Sequence, residues 1–241
     1  MSHLEDMIDS IKKVIIVPVH PAGYPIIAAF AVVTLLLFLL STFLGWVGVV
    51  LSLWCVYFFR DPVRHTPVKE GLVISPADGV VSAIVENISL PKELDWDDAE
   101  DYTRVSVFLN VFNVHVNRVP CSGVVKKVIY TPGKFLNACL DKASEDNERS
   151  AALMETSDGK LVGFVQIAGF VARRIICDLQ DNQEVATGER YGIIRFGSRA
   201  DIYLPKGVAP LVAVGQTMLG GETVLADMKS KEKARLTEVR D

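Results

Sequence analysis

Between Val14 and Phe59 the chain contains no Asp, Glu, Lys or Arg. A charge-free stretch of that length excludes a wholly soluble protein. Cysteine is scarce and scattered: the four, at positions 55, 121, 139 and 177, form no Cys-x-x-Cys pair and no metal-ligand cluster. That excludes a disulfide framework or a zinc site and fits a reduced, cytosol-facing domain. A basic excess is missing too. The net charge of −4 gives no electrostatic reason to expect nucleic acid as a partner. There is no P-loop, no dinucleotide fingerprint, no Gly-x-Ser-x-Gly elbow, no His-Glu-x-x-His and no internal repeat.

What the chain does have is an apolar excess confined to its first quarter. Residues 26–59 carry hardly a polar side chain, and the positions outside them are about 26% charged, ordinary for a globular domain. This excludes a disordered chain and a multi-span transporter. The run is too long for the roughly 7–15-residue core of a signal peptide and ends in Tyr57-Phe58-Phe59-Arg60-Asp61-Pro62 rather than at a small-residue cleavage site. As one helix it would measure about 51 Å against a hydrocarbon core of roughly 30 Å. The expected break is Leu44-Gly45-Trp46, leaving a span over residues 26–43 and a shorter piece over 47–59. A helical hairpin and a single span with a shallow re-entrant segment both fit. Lys12 and Lys13 precede the run, Arg60 and Arg64 follow it, and the break has no charge, so both ends are expected on the cytoplasmic side of the cell membrane. The competing reading, a helix pair buried in a soluble core, asks for more apolar residues than a small core uses.

The remainder reads as β. Strands are expected at residues 73–75, 80–85, 104–109, 111–120, 154–156, 160–168, 192–196, 200–204, 211–214 and 222–225, with Pro76-Ala77-Asp78-Gly79 and Ser157-Asp158-Gly159 as turns. Turn signals recur about every ten residues, the spacing of a sandwich or barrel with few short helices. The organisation expected is a cytoplasmic segment (1–25), a membrane-associated helical hairpin (26–59), a β-rich domain (60–226) and a charged, frayed tail (227–241). Residues 93–101 hold six acidic side chains, which suit a solvated loop, with a mobile lid as the other option.

Four histidines make a short list. His3 and His20 lie outside the β region and His65 follows the apolar run closely. In Phe112-Asn113-Val114-His115-Val116-Asn117 the alternation sets Asn113, His115 and Asn117 on one strand face, where an imidazole can meet a cleft or simply lie at the surface. Asp78, before a glycine, can cap its own turn. Ser198, after Gly197, can sit in a tight turn between strands.

Read together and in order, Ser75-Pro76-Ala77-Asp78-Gly79, Asn113-Val114-His115-Val116-Asn117-Arg118 and Tyr191-Gly192-Ile193-Ile194-Arg195-Phe196-Gly197-Ser198-Arg199-Ala200-Asp201, behind an apolar segment ending in Phe58-Phe59-Arg60-Asp61-Pro62, resemble the short form of the phosphatidylserine decarboxylase family. The likeness runs from about Pro18 to Ala226. It implies a proenzyme that cuts itself between Gly197 and Ser198, leaving a large chain (1–197) and a small chain (198–241) as a heterodimer, with a possible higher oligomer. Ser198 would become a pyruvoyl group, the only cofactor, with no metal. Its carbonyl would form a Schiff base with the serine amine of phosphatidylserine in the membrane and accept the electrons released as carbon dioxide leaves, giving phosphatidylethanolamine. The likeness makes His115 the base and proton donor and Asp78 the group that fixes its tautomer.

Longer relatives have Leu-Gly-Ser-Thr at the cut where this chain has Phe196-Gly197-Ser198-Arg199, and a second histidine where it has Arg118, which places the acid–base work on His115 alone. Arg118, Lys126, Lys127, Arg173 and Arg174 are candidate substrate contacts, the last four for the lipid phosphate; a solvated face is the other reading of those four. Competing functions are decarboxylation of another serine-headed lipid such as archaetidylserine, and an inactive membrane-anchored β module that only binds a partner.

Overall fold

With no charged side chain to hydrate and every backbone amide to satisfy, the apolar run folds as helix. The structure, a computed structural model, describes residues 17–94, 101–133, 146–169, 174–195, 197–235 and 237–238. Lys12, Lys13, Cys139 and positions 95–100 of the acidic stretch lie outside the described residues. The chain divides into two units, Met1–Val63 and Arg64–Asp241.

In the first unit a 3-10 turn, Pro21–Gly23, leads into helix α1 (Tyr24–Leu40), and helix α2 (Thr42–Phe58) follows. Pro21–Leu40 is long and apolar enough to cross a membrane, whereas α2 is shorter. The break falls at Ser41, whose backbone is extended (φ −166°, ψ 138°), and not at the expected Leu44-Gly45-Trp46. The glycines there serve packing. A Cβ on Gly45 would lie 2.1 Å from the Phe38 ring, and one on Gly48 would lie 2.8 Å from Thr34 Oγ1. Gly45, Gly48, Ser52 and Cys55 form a stripe of small residues at helical spacing, which lets the two backbones approach closely. Thr34 Oγ1 donates to the Phe30 carbonyl at 2.8 Å and shares a 2.9 Å hydrogen bond with Ser52 Oγ. The two ends of the hairpin meet: the His20 N–H donates to the Phe59 carbonyl (2.8 Å) and the Asp61 N–H to the Pro18 carbonyl (2.7 Å). Its outer surface is apolar, with Leu39 82% and Phe43 74% exposed.

Among the described residues the second unit has thirteen strands: β1 (Leu72–Ile74), β2 (Gly79–Ile88), β3 (Tyr102–Leu109), β4 (Val116–Arg118), β5 (Gly123–Thr131), β6 (Arg149–Glu155), β7 (Leu161–Ala168), β8 (Ile175–Cys177), β9 (Glu184–Val185), β10 (Arg190–Ile194), β11 (Ser198–Leu204), β12 (Thr217–Met218) and β13 (Val224–Asp227). Eight form one antiparallel sheet in the order β12-β2-β3-β11-β7-β6-β5-β9, which curls into a half-barrel. β4, β10 and β8 form a second sheet, and β1 pairs with β13. The mainly β class expected from the turn spacing is the one observed.

Alternation along the strands gives the large sheet two apolar faces. One buries Val105, Val107, Met154, Phe164, Ile202 and Leu204 together with Tyr191 of the small sheet. Leu153, Val165, Ile167 and Tyr203 point the other way and are covered by Leu90 and Leu94.

The differences from the strand expectations have local causes. Residues 211–214 are not a strand, because the Ala213–Gln216 turn is closed by Gln216 Oε1 accepting from the Ala213 N–H at 3.2 Å. Strands β5, β8, β9 and β12 carry no strong alternation or are too short to show any. The expected frayed tail begins late, since β13 includes Asp227, Met228 is buried, and the Met228 carbonyl accepts from Lys160 Nζ at 2.6 Å. Glu93 and Asp101, at either end of the acidic stretch, are paired with Arg149 and Lys206.

Phe164 is 1% exposed and stacks edge-on to Tyr191 with ring centroids 5.2 Å apart. Phe164→Ala is expected to cost about 3–5 kcal/mol, read as a fall of roughly 6–20 °C in thermal midpoint.

Candidate active site

Four strand ends converge on one residue. Ser198 opens β11 and lies opposite Leu109, the last residue of β3, and Ala168, the last of β7. Beyond β3, β2 starts at Gly79, so the Ser75–Gly79 turn adjoins the same edge. Ala77 packs with Leu109 and Ala200. Ser198 is fully buried and its Oγ has no hydrogen-bond partner among the described residues. Gly197 has φ +70°, a conformation that disfavours any side chain, and among the described residues nothing lies within 4 Å of where its Cβ would be. Phe196 lies outside the described residues.

His115 lies just before β4 of the small sheet. The strand expected over 111–120 is paired only at Val116–Arg118. Residues 110–113 are a turn, with the Asn110 N–H donating to Asn113 Oδ1 and the Phe112 N–H to Asn110 Oδ1, both at 2.8 Å. Asparagine side chains that bond nearby amides in this way compete with strand pairing. Asn113 is therefore spent on the turn, and only His115 and Asn117 of the expected polar face are fully buried. The His115 carbonyl accepts from the Ile194 N–H at 3.2 Å, four residues before Ser198. His115 Nδ1 lies 3.0 Å from the Asn113 carbonyl. A carbonyl only accepts, so Nδ1 carries the proton and the lone pair of the neutral ring is on Nε2. This contact favours the proton on Nδ1.

Asp78 is held by partners far away in sequence. Arg64 Nη2 donates to both carboxylate oxygens, at 2.9 and 2.7 Å, and the Gly220 N–H donates to Oδ1 at 2.8 Å. Arg118 joins this group: its N–H donates to the Pro76 carbonyl, its guanidinium donates to the Gly188 carbonyl at 2.9 Å, and its Cδ lies 2.6 Å from where a Cβ on Gly221 would be. Gly221, at φ +83°, is thus required by both conformation and space. The Gly220-Gly221 pair was visible as a turn signal. Arg64 had no local signal, because its partner is fixed only by the fold.

The other cations separate. Lys126 pairs with Glu155 at 2.8 Å, and Lys127 Nζ donates to the Leu94 carbonyl at 3.0 Å. Lys127 is in register with Leu153, Gly163 and Tyr203, three strands across and five residues along from Ser198, which is about 20 Å. Arg173 lies outside the described residues. Arg174 is exposed, and its carbonyl accepts from the Arg195 N–H at 3.3 Å, three residues before Ser198. Burial and the charge of Arg174 push the pKa of Arg195 down, so these two cations lie near one another. Among the described residues no cluster of three or more His, Cys, Asp or Glu side chains suits a metal ion.

Arg64 and Asp78 are each only 9% exposed at the side chain. Removing one member of a buried pair strands the other charge, so Arg64→Ala is expected to cost about 3–5 kcal/mol in thermal unfolding. Arg64→Lys, a single point charge in place of a planar fork, should recover part of that loss.

Residues 51–226 match the family model for phosphatidylserine decarboxylase. A phosphatidylserine decarboxylase proenzyme of Cereibacter sphaeroides is 59% identical over 230 residues, covering 95% of this chain and 97% of its own. The proenzyme of Paramagnetospirillum magneticum is 54% identical over 231 residues (96% and 95%), and that of Ruegeria pomeroyi 55% over 212 residues (88% and 96%). Buried serine, left-handed glycine and buried histidine thus meet in a chain that matches these decarboxylase proenzymes almost end to end, and it belongs to the phosphatidylserine decarboxylase family.

Proposed function

We propose that the chain is a self-processing precursor that cuts between Gly197 and Ser198 and then converts phosphatidylserine to phosphatidylethanolamine and carbon dioxide. The observation that carries this reading is the Ser198 hydroxyl, buried without a partner among the described residues, directly after a glycine at φ +70°. In processing, His115 Nε2 takes the hydroxyl proton and Oγ attacks the Gly197 carbonyl carbon, moving the acyl group from nitrogen to oxygen. Loss of the Ser198 α-proton expels the Gly197 carboxylate, and water then releases ammonia, leaving a pyruvoyl group at the head of the small chain. Gly197, without a Cβ, can take the backbone angles that this attack requires. Asp78, clamped by Arg64 and Gly220, fixes the turn that backs Leu109 and supplies negative charge at this edge.

The site fits that group: Leu109 and Ala168, opposite Ser198, present no competing polar side chain, and the residue needs no hydroxyl partner to be stable there. A pyruvoyl carbonyl supplies an electrophile for the headgroup amine and an electron sink for decarboxylation. His115 then returns the proton to the carbon that lost carboxylate. Arg174 and Arg195, two cations at one place, bind the lipid phosphate, for which the fork of Arg is well shaped. The large and small chains stay together through β11. The apolar hairpin, whose ends meet, anchors the enzyme in the cell membrane with both ends on the cytoplasmic side.

Intact-mass measurement tests the reading. A small chain beginning at position 198 and refractory to amine reagents is expected. A full-length 26.5 kDa species alone, after incubation in native buffer, overturns it. Ser198→Ala is expected to stay uncut. His115→Ala should lose processing by two or more orders of magnitude, and normal processing with normal decarboxylation in that variant removes His115 from the mechanism.

A further inference from the structure

Beneath Ser198 lies a second polar layer that the proposed chemistry leaves unused. Gln166 and Asn117 are 1% and 0% exposed. Gln166 Nε2 donates to Asn117 Oδ1 at 2.9 Å and lies 3.3 Å from the Ile176 carbonyl, so its amide reaches from the large sheet to both outer strands of the small one. The room for it is made by Gly192, between those strands, where a Cβ would come within 3.1 Å of Nε2. Two atoms of the pair, Asn117 Nδ2 and Gln166 Oε1, have no hydrogen-bond partner among the described residues. A buried donor and a buried acceptor left side by side are costly, and few native sites keep them without a use.

Register places them at the reaction centre. Gln166 is opposite Ala200, and Ala168 opposite Ser198, on the same face of the sheet. Diagonal neighbours of this kind have Cβ atoms about 7–8 Å apart, within reach of a glutamine side chain. Asn117 is two residues from His115 on the same short segment. We propose that Asn117 and Gln166 are the specificity-determining pair for the amino-acid headgroup, Asn117 Nδ2 donating to its carboxylate and Gln166 Oε1 accepting from its amine. This rests on the decarboxylase reading and adds the recognition element to it. A neutral pair suits the task. A cation there would stabilise the substrate carboxylate and oppose the loss of its charge as carbon dioxide leaves, whereas an amide orients it without that penalty.

The competing role is a pin that fixes the two sheets in register. Near-isosteric apolar variants, Asn117→Leu and Gln166→Met, separate the two roles. Purified full-length variants are compared with wild type for intact mass, thermal midpoint, kcat and KM on detergent-dispersed phosphatidylserine, and lipid captured on the small chain by cyanoborohydride from phosphatidylserine or phosphatidylethanolamine. For a headgroup site, the variants are cut, the thermal midpoint holds or rises, kcat/KM falls about ten- to a hundredfold, and capture loses its preference for the carboxylate-bearing lipid. Normal kcat/KM with unchanged capture preference, or a lowered thermal midpoint with normal kcat/KM, overturns the proposal. If Asn117→Leu alone stays uncut, Gln166→Met decides, since it leaves the His115 segment intact; failure of both to process assigns the pair to folding of the precursor and also overturns it. An uncut or inactive wild type counts instead against the decarboxylase reading.

Discussion

The pairing of β11 on both edges is the constraint on which the rest of the structure depends. Ser198–Leu204 is in continuous register with β3 on one side and, as far as Tyr203, with β7 on the other, and every one of its residues is buried. Cutting the chain just before such a strand removes one covalent bond and none of the ladder. The proposed small chain would therefore stay in place without a disulfide, because it would begin as a central strand of the sheet. Arg199 and Asp201, on the face opposite Ser198, add a buried ion pair at 2.9 Å to the same segment. The cut we propose falls at the head of β11, where the ladder stops and Gly197 takes a left-handed backbone.

The same geometry explains why the site is polar inside an apolar sandwich. Strand ends are where side chains and backbone groups escape the ladder, and four of them meet beside Ser198. The polar groups are held by different contacts: the His115 ring by the Asn113 carbonyl two residues away and its backbone by Ile194, Asp78 by Arg64 and Gly220, Gln166 by Asn117. Such contacts cost stability unless complete, and the Ser198 hydroxyl, Asn117 Nδ2 and Gln166 Oε1, without hydrogen-bond partners among the described residues, are where we propose chemistry and substrate.

The hairpin follows a separate logic. Its outward side chains are as apolar as its sequence, so hydrophobic burial cannot hold the helices together in lipid. Close approach along Gly45 and Gly48 and the central Thr34–Ser52 hydrogen bond supply the association. Glycine at position 45 is thus a contact surface where local propensity alone suggests a break.

The sequence by itself determined the apolar run, the mainly β class, the Ser157–Gly159 hairpin and, through three ordered motifs, the family. These are local signals: hydropathy, alternation and turn chemistry act over a few residues and are readable in one dimension. Only the tertiary structure decided that the hairpin turns at Ser41, that Asn113 closes a turn, that Arg64 clamps Asp78, and that Lys126 and Lys127 lie about 20 Å from Ser198. It alone brought Asn117 to Gln166, 49 residues apart. The physical reason is that pairing register and sheet order fix which side chains share a space, and in an antiparallel sheet with non-consecutive neighbours those pairings leave no trace in local spacing.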